Sequence, residues 1–208
     1  MMYKDHAQKC SEFALKNPDQ FAMVVLMVVL SIQQRWHNIG IQLNDVMLNG
    51  TASRFLNWRT KRNCYEYIQS KKYLMFAQCL AVMHSTSKTD DEKAIALMRM
   101  FMRIPSVGIA KGGFLCQLVF NLVGCLDVHN LRYYGLDPNI ATANKKAGPK
   151  GQEAIRQKVK TYIEKCHELG TERLWDTWCN ARAVEDESPW RSGFEVSEAH
   201  IKYLEDSV

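Results

Sequence analysis

The chain has 208 residues, 47% of them hydrophobic and 24% charged, with a formal net charge of +5. These proportions are near the average for soluble globular proteins and exclude collagen-like, coiled-coil and wholly disordered chains. A chain of this length buries roughly 70% of its unfolded surface on folding and needs no disulfide or metal staple. The charge is uneven: residues 183–208 carry seven acidic and two basic groups, so the first 182 residues hold a net charge of +10. A basic body with an acidic tail suits a polyanion partner, and a solvated charged surface gives the same pattern.

Helical periodicity runs through nearly every segment, and the expected class is all-α. Residues 2–16 read as a first helix, stopped at Asn17-Pro18. Pro18 and Asp19 start a second, which contains the apolar run Phe21 to Leu30 and reaches about His37. That run is about half a bilayer span, and no small-residue cleavage site follows it, so it reads as a buried helix rather than a membrane or secretion signal. Residues 41–48, 53–70 and 72–84 follow as helices, then a turn at 85–87. Thr89-Asp90-Asp91-Glu92 carries the capping residue and acidic first turn of a helix N-terminus. That helix ends at Ile104-Pro105, and a Pro-x-x-Gly hairpin, residues 105–108, leads into a helix over 109–123 closed by Gly124. A short helix spans 128–134 and residues 136–150 read as loop; helices at 152–169, 171–184 and 196–205 complete the chain.

Seven cysteines, at 10, 64, 79, 116, 125, 166 and 179, include no Cys-x-x-Cys pair. The odd count and scattered spacing fit a reducing compartment, and the expected location is cytoplasmic. The histidines, at 6, 37, 84, 129, 167 and 200, show no metal-ligand spacing.

The strongest local signal is RIPSVGIAKGGFLCQLV, residues 103–119. A helix ends, a tight hairpin turns, and a second helix begins at once. Such a hairpin and helix N-terminus offer backbone N–H groups to a DNA phosphate without reading sequence, through Ser106, Gly108 and the nearby Lys111. An ordinary corner between two helices also favours Pro and Gly. GCLDVHNLRYYG, residues 124–135, then places Asp127 at the start of a helix, 19 residues after Gly108, followed by His129 and Arg132. Asp is a common helix cap, so this position has a structural reading of its own.

IPSVGIAKGG followed by CLDVHNLRYYG resembles the helix-hairpin-helix DNA glycosylase superfamily. VVLSIQQRW, residues 28–36, resembles the Leu-Ser-Gln-Gln helix near the start of those enzymes, with Gln33 and Gln34 as the residues directed at the minor groove. The resemblance covers about residues 25–140. It implies a two-lobed all-α fold with an interlobe cleft. Residues 31–124 would form a helical barrel lobe ending in the hairpin, and 1–30 with 125–208 a second lobe bearing the acidic tail. It also implies DNA as partner, no membrane, base flipping, and Asp127 as the catalytic carboxylate.

The departures are specific. Ser106 stands where the family's first hairpin glycine falls, and Ala110 where its lyase members carry a Schiff-base lysine; Lys111 is one residue on, about 100° around the helix. The four-cysteine iron–sulfur pattern is absent from the sequence, so no cofactor is expected beyond a monovalent cation. By resemblance that ion would be held by the backbone carbonyls of Met102, Ile104 and Val107.

Three functions follow from the resemblance. The first is a monofunctional DNA glycosylase that flips a base and hydrolyses its N-glycosidic bond. The second, suited to the departures and to a viral branch in a host cytoplasm, is a transferase that attaches an amino acid or amine to an activated hydroxymethylpyrimidine in DNA. The third is a DNA-binding or structural protein without catalysis.

A second cluster, residues 53–73, holds Arg54, Arg59, Lys61, Arg62, Lys71 and Lys72 against Glu66, interleaved with Phe55, Trp58, Tyr65, Tyr67 and Tyr73. Cations neutralise phosphates and rings stack on bases; an amphipathic helix with aromatic core residues looks the same. Arg59, Lys61 and Arg62 are the expected DNA contacts here. Trp36, Tyr133 and Tyr134 are candidate walls of a base pocket, with core packing as the other reading. Trp175 and Trp178, three apart, read as core.

Overall fold

The computed structural model describes residues 10–32, 39–142 and 148–177. Gln33, Gln34 and Trp36, the acidic tail and Trp178 lie outside them. The regular structure of the described residues is all helical, with no strand among them, and no helix there is long and apolar enough to cross a membrane.

The apolar run forms α1, Pro18–Leu30. Asn17 caps it, accepting the N–H groups of Asp19 and Gln20, and Pro18 supplies the first helical φ. Gln20 through Leu30 are all buried, as expected of a helix apolar on every side. Around α1 stand α2 (Ile39–Asn49), α3 (Arg59–Met83) and α5 (Ile109–Phe120). Phe21 joins the layers, stacking on Phe101 at 6.1 Å and meeting Phe76 edge-on at 5.8 Å. Each fully buried Phe, Val, Leu or Met contributes roughly 1.5–3 kcal/mol.

The hairpin pair is α4 (Asp90–Phe101) and α5. Thr89 and Glu92 make a reciprocal capping box at the start of α4. The short α6 (Val128–Tyr133) follows, and α7 (Pro149–Leu169) packs across α4 and α5 through Ile155, Val159, Tyr162, Ile163 and Cys166. All buried apolar residues from Cys10 to Trp175 belong to one contiguous core.

Several element boundaries differ from the sequence reading. α1 ends at Leu30 with Ser31 as its cap, short of His37, and α4 ends at Phe101 rather than at Ile104-Pro105. Residues 138–141 form a 3-10 turn inside the expected loop. The helices expected at 53–70 and 72–84 are one helix of 25 residues, since nothing near Lys71 breaks it. Residues 50–56 form two 3-10 turns instead, pinned by the Ser53 hydroxyl on Asp45 and by Phe55 N–H on Ser53. α5 ends at Asn121, which takes the left-handed conformation at φ 53°, rather than at Gly124. Gly124 answers a packing need: a Cβ there would stand 2.3 Å from Leu174 Cδ1.

Gly113 answers another, because its Cβ would lie 2.5 Å from the Tyr162 hydroxyl oxygen. Gly113→Ala should force α5 and α7 apart and cost about 1–3 kcal/mol. Chemical denaturation would show this as a lower midpoint, whereas an unchanged midpoint would mean that the contact yields freely.

Candidate functional site

The hairpin is a tight turn with the Val107 N–H donating to the Ile104 carbonyl at 3.1 Å. Pro105 holds its second position and Ser106 its third, with φ 62°, the sign a type II turn demands there. The serine thus adopts the conformation a glycine would take, and the turn survives the departure at a local cost. Ser106 and Gly108 are exposed at the tip. Gly108 has an extended backbone and caps α5, and a Cβ there would meet nothing within 4 Å. The approach to the α5 N-terminus is therefore open. Met102, Ile104 and Val107 are buried at the base of the turn, where the Ile104 carbonyl already accepts one hydrogen bond.

Asp127 caps α6: its Oδ1 accepts from His129 N–H at 2.9 Å and Asn130 N–H at 3.2 Å. The segment leading to it is fixed by Tyr162, which is fully buried. The Tyr162 hydroxyl donates to the Gly124 carbonyl at 3.0 Å and accepts the Leu126 N–H at 2.7 Å. Asn130 holds the same segment from the other side, its Nδ2 donating to the carbonyls of Cys125 (2.5 Å) and Leu174 (2.9 Å). Because Gly113 on α5 lies against the Tyr162 ring, hairpin helix and carboxylate share one frame.

The Cys125 thiol lies in the same segment, two residues before Asp127. Burial pushes it well up, Asp127 raises it further, and Lys111 opposes them. Lys111 is half-buried; its Nζ donates to Ser31 Oγ at 2.9 Å and lies 5.5 Å from the Phe114 ring centre. It turns inward to the end of α1, not outward as a phosphate contact or surface charge.

Lys61 is a second correction. It is 3% exposed, and its Nζ donates to the Leu30 carbonyl at 2.7 Å and to Gln42 Oε1 at 3.4 Å. It serves the α1 C-terminus and does not belong to the exposed basic face. That face keeps Arg54, Arg59, Arg62 and Lys71, while Lys72 pairs with Asp19. Cys64 on α3 donates to the Pro105 carbonyl at 2.8 Å, so the basic helix touches the hairpin itself. Of the cluster's rings, Trp58 (42% exposed) and Tyr73 (65%) face solvent; Phe55, Tyr65 and Tyr67 pack on the core.

Near Asp127, Arg132 is exposed and His129 half-buried. Tyr133 is 70% exposed and meets Tyr134 edge-on at 5.0 Å. Tyr134 is engaged otherwise: its hydroxyl pairs with Thr177 Oγ1 at 2.7 Å and Arg173 lies over its ring. Of the two, Tyr133 is the ring available to stack. Trp175 is core, 2% exposed against Phe114. The six described cysteines are buried and form no disulfide with one another, and among the described residues no three His, Cys, Asp or Glu side chains are grouped to hold a metal ion.

The residues missed by sequence reasoning are Tyr162, Asn130, Ser31 and Gly113. Tyr162 lies in the α7 stripe Ile155, Val159, Tyr162, Ile163, Cys166, which marks it as core but gives no sign of its hydrogen bonds. The adjacent pair Gly112-Gly113 inside a helix was the one visible signal, since interior glycine costs a helix roughly 1 kcal/mol and needs a reason. Family models, curated proteins and solved structures contain no match to this chain.

Ser106→Gly relieves the left-handed strain in the turn but gives a freer unfolded chain, and should raise stability by up to about 1 kcal/mol; a lower thermal midpoint would contradict the turn geometry. Burial pushes the Lys61 amine down to about 8, with the Cys64 thiolate as the opposing influence. Between there and the ordinary value of 10.5 the unfolded chain binds more protons, so this group makes stability rise with pH. Below about 8 the full penalty, on the order of 3 kcal/mol, is present. From about pH 7.5 to pH 9 the unfolding free energy of wild type relative to Lys61→Met should rise, the opposite contribution of the buried thiols being common to both proteins. Parallel curves would mean that the amine is not desolvated.

Proposed function

We propose that this chain binds DNA through the 104–108 hairpin and acts on a flipped nucleotide with Asp127, most simply as a monofunctional DNA glycosylase. The observation that carries the reading is the shared frame: Tyr162 packs on Gly113 of the hairpin helix while its hydroxyl holds the backbone on both sides of Cys125. A phosphate bound at the hairpin would then lie at a set distance from the carboxylate, which is the positioning that chemistry on one nucleotide requires.

In this reading the exposed amides at Gly108 and the start of α5 hold a phosphate, and Arg59 and Arg62 on α3 contact the backbone nearby. Arg132 adds a cation beside Asp127, and Tyr133 offers a ring to the unstacked base. As the bond between C1′ and the base nitrogen breaks, its electron pair leaves with the base and positive charge grows on the sugar. The Asp127 carboxylate stabilises that charge and orients a water whose oxygen bonds to C1′. One of the water's protons stays on the new C1′ hydroxyl and the other passes by way of the carboxylate to the departing base, leaving a free base and an abasic site. Lys111 is committed to Ser31, and position 110 is alanine, so hydrolysis rather than attack by a lysine amine fits the site best.

Asp127→Asn is a clean test. Asn keeps the side-chain oxygen that caps α6, so the fold should persist while the charge is removed. DNAs carrying uracil, 5-hydroxymethyluracil, alkylated purines or hypermodified bases would be incubated with the protein and digested for mass spectrometry. Release of a free base, reduced on the order of 10²–10³-fold in Asp127→Asn with DNA affinity retained, is the expected result. An enlarged base formed from an amine donor and activated DNA would show a transferase instead. DNA binding without turnover, indifferent to Asp127, would show a binding protein.

A further inference from the structure

A groove of about 530 Å³ lies between α4 and the first turns of α7. Lys88, Arg99, Arg103 and Arg156 line it, against the single carboxylate of Glu92. Glu92 is occupied by the capping box, and the Thr89 N–H holds its carboxyl below the usual range. Met100, Met102 and Ile155 form an apolar floor. Both walls therefore present cations, and the base of the groove offers a dry surface to a sugar or base.

The cations are spread lengthwise. Lys88 precedes α4 and Arg103 follows it, about 20 Å apart at helical rise. Arg99 reaches across to Gln152 Oε1 at 3.4 Å; Arg156 has a loose i−3 partner, Glu153, at 3.9 Å, and also favours the charged form of Glu92. A compact anion needs converging donors, whereas a line of cations above an apolar floor suits a backbone with successive phosphates. The groove also adjoins the hairpin, since Met102 caps α4 and Arg103 enters the turn.

We propose that the groove between α4 and α7 carries a DNA strand leading away from the hairpin, as a second contact beside the nucleotide held near Asp127. This rests on the DNA-binding reading above and adds a site to it.

The test compares a short duplex with the same duplex bearing a single-stranded extension, each titrated by fluorescence anisotropy over a range of salt. The proteins are wild type, the triple variant Arg99→Gln/Arg103→Gln/Arg156→Gln, the single variant Arg103→Gln as a milder control, and the hairpin variant Gly108→Val. Thermal unfolding checks each fold. Wild type should bind the extended DNA more tightly. The triple variant should lose that gain, and its plot of log Kd against log salt should be shallower by about 2–3, near 0.7–0.9 for each phosphate that is no longer neutralised. Arg103→Gln should lose roughly a third of this. Gly108→Val should weaken both DNAs alike. If the triple variant matches wild type on both DNAs while Gly108→Val weakens them, the groove proposal falls and the hairpin reading stands. If wild type binds neither DNA, the DNA reading itself fails. A triple variant that loses a nucleoside monophosphate but not DNA would make this a free-nucleotide site and overturn the proposal.

Discussion

The last turn of α1 ends inside the protein, and its carbonyls have no water to bond. Such groups must find donors or destabilise the helix strongly. Each does: Met27 O accepts the Ser31 N–H, Val28 O the Ser31 hydroxyl, Val29 O the Ile32 N–H, and Leu30 O the Lys61 amine. Ser31 Oγ in turn accepts from Lys111. Two cations from different helices meet the negative end of one helix dipole, and through them α3 and α5 are locked to the same point.

That demand redistributes the charge that first points to a polyanion. Lys61 sits in a run of six cations and Lys111 just past a phosphate-type hairpin, and by spacing alone both read as phosphate contacts. The structure commits both to α1. On the two surfaces that remain, Arg54, Arg59 and Arg62 stand with Lys71 on and around α3, and Arg99, Arg103 and Arg156 with Lys88 along the groove. Lysine suits the inward role because a point charge on a flexible stem can reach a single carbonyl, and its amine can shed part of its charge when buried. Guanidinium groups suit the outward one, since they stay charged and grip phosphate oxygens in pairs.

Local chemistry was the part of the fold most readable from sequence. Asn17-Pro18, the Thr89–Glu92 box and Asp127 before α6 each mark a helix start with atoms two or three residues away, and each forms as expected. The hairpin was readable for the same reason, although Ser106 had to accept a glycine's conformation. What failed was long-range. Nothing in residues 53–73 tells which lysine faces inward, because that depends on α1 ending 31 residues earlier beside α3. Gly124 looked like a helix stop; its real constraint, Leu174, lies fifty residues on.

Tyr162 shows why the frame beneath the candidate site stays hidden. Its ring fills the notch left by Gly113, and its hydroxyl answers two backbone groups around Cys125. Burial sets the directions of the surrounding groups: the Tyr162 hydroxyl and the Cys116, Cys125 and Cys166 thiols are all pushed upward, chiefly by desolvation. The floor under Asp127 is thus neutral at physiological pH, built from protonated thiols and a protonated phenol. The Asp127 carboxylate stands at the edge of that floor, held in place by the helix amides of α6.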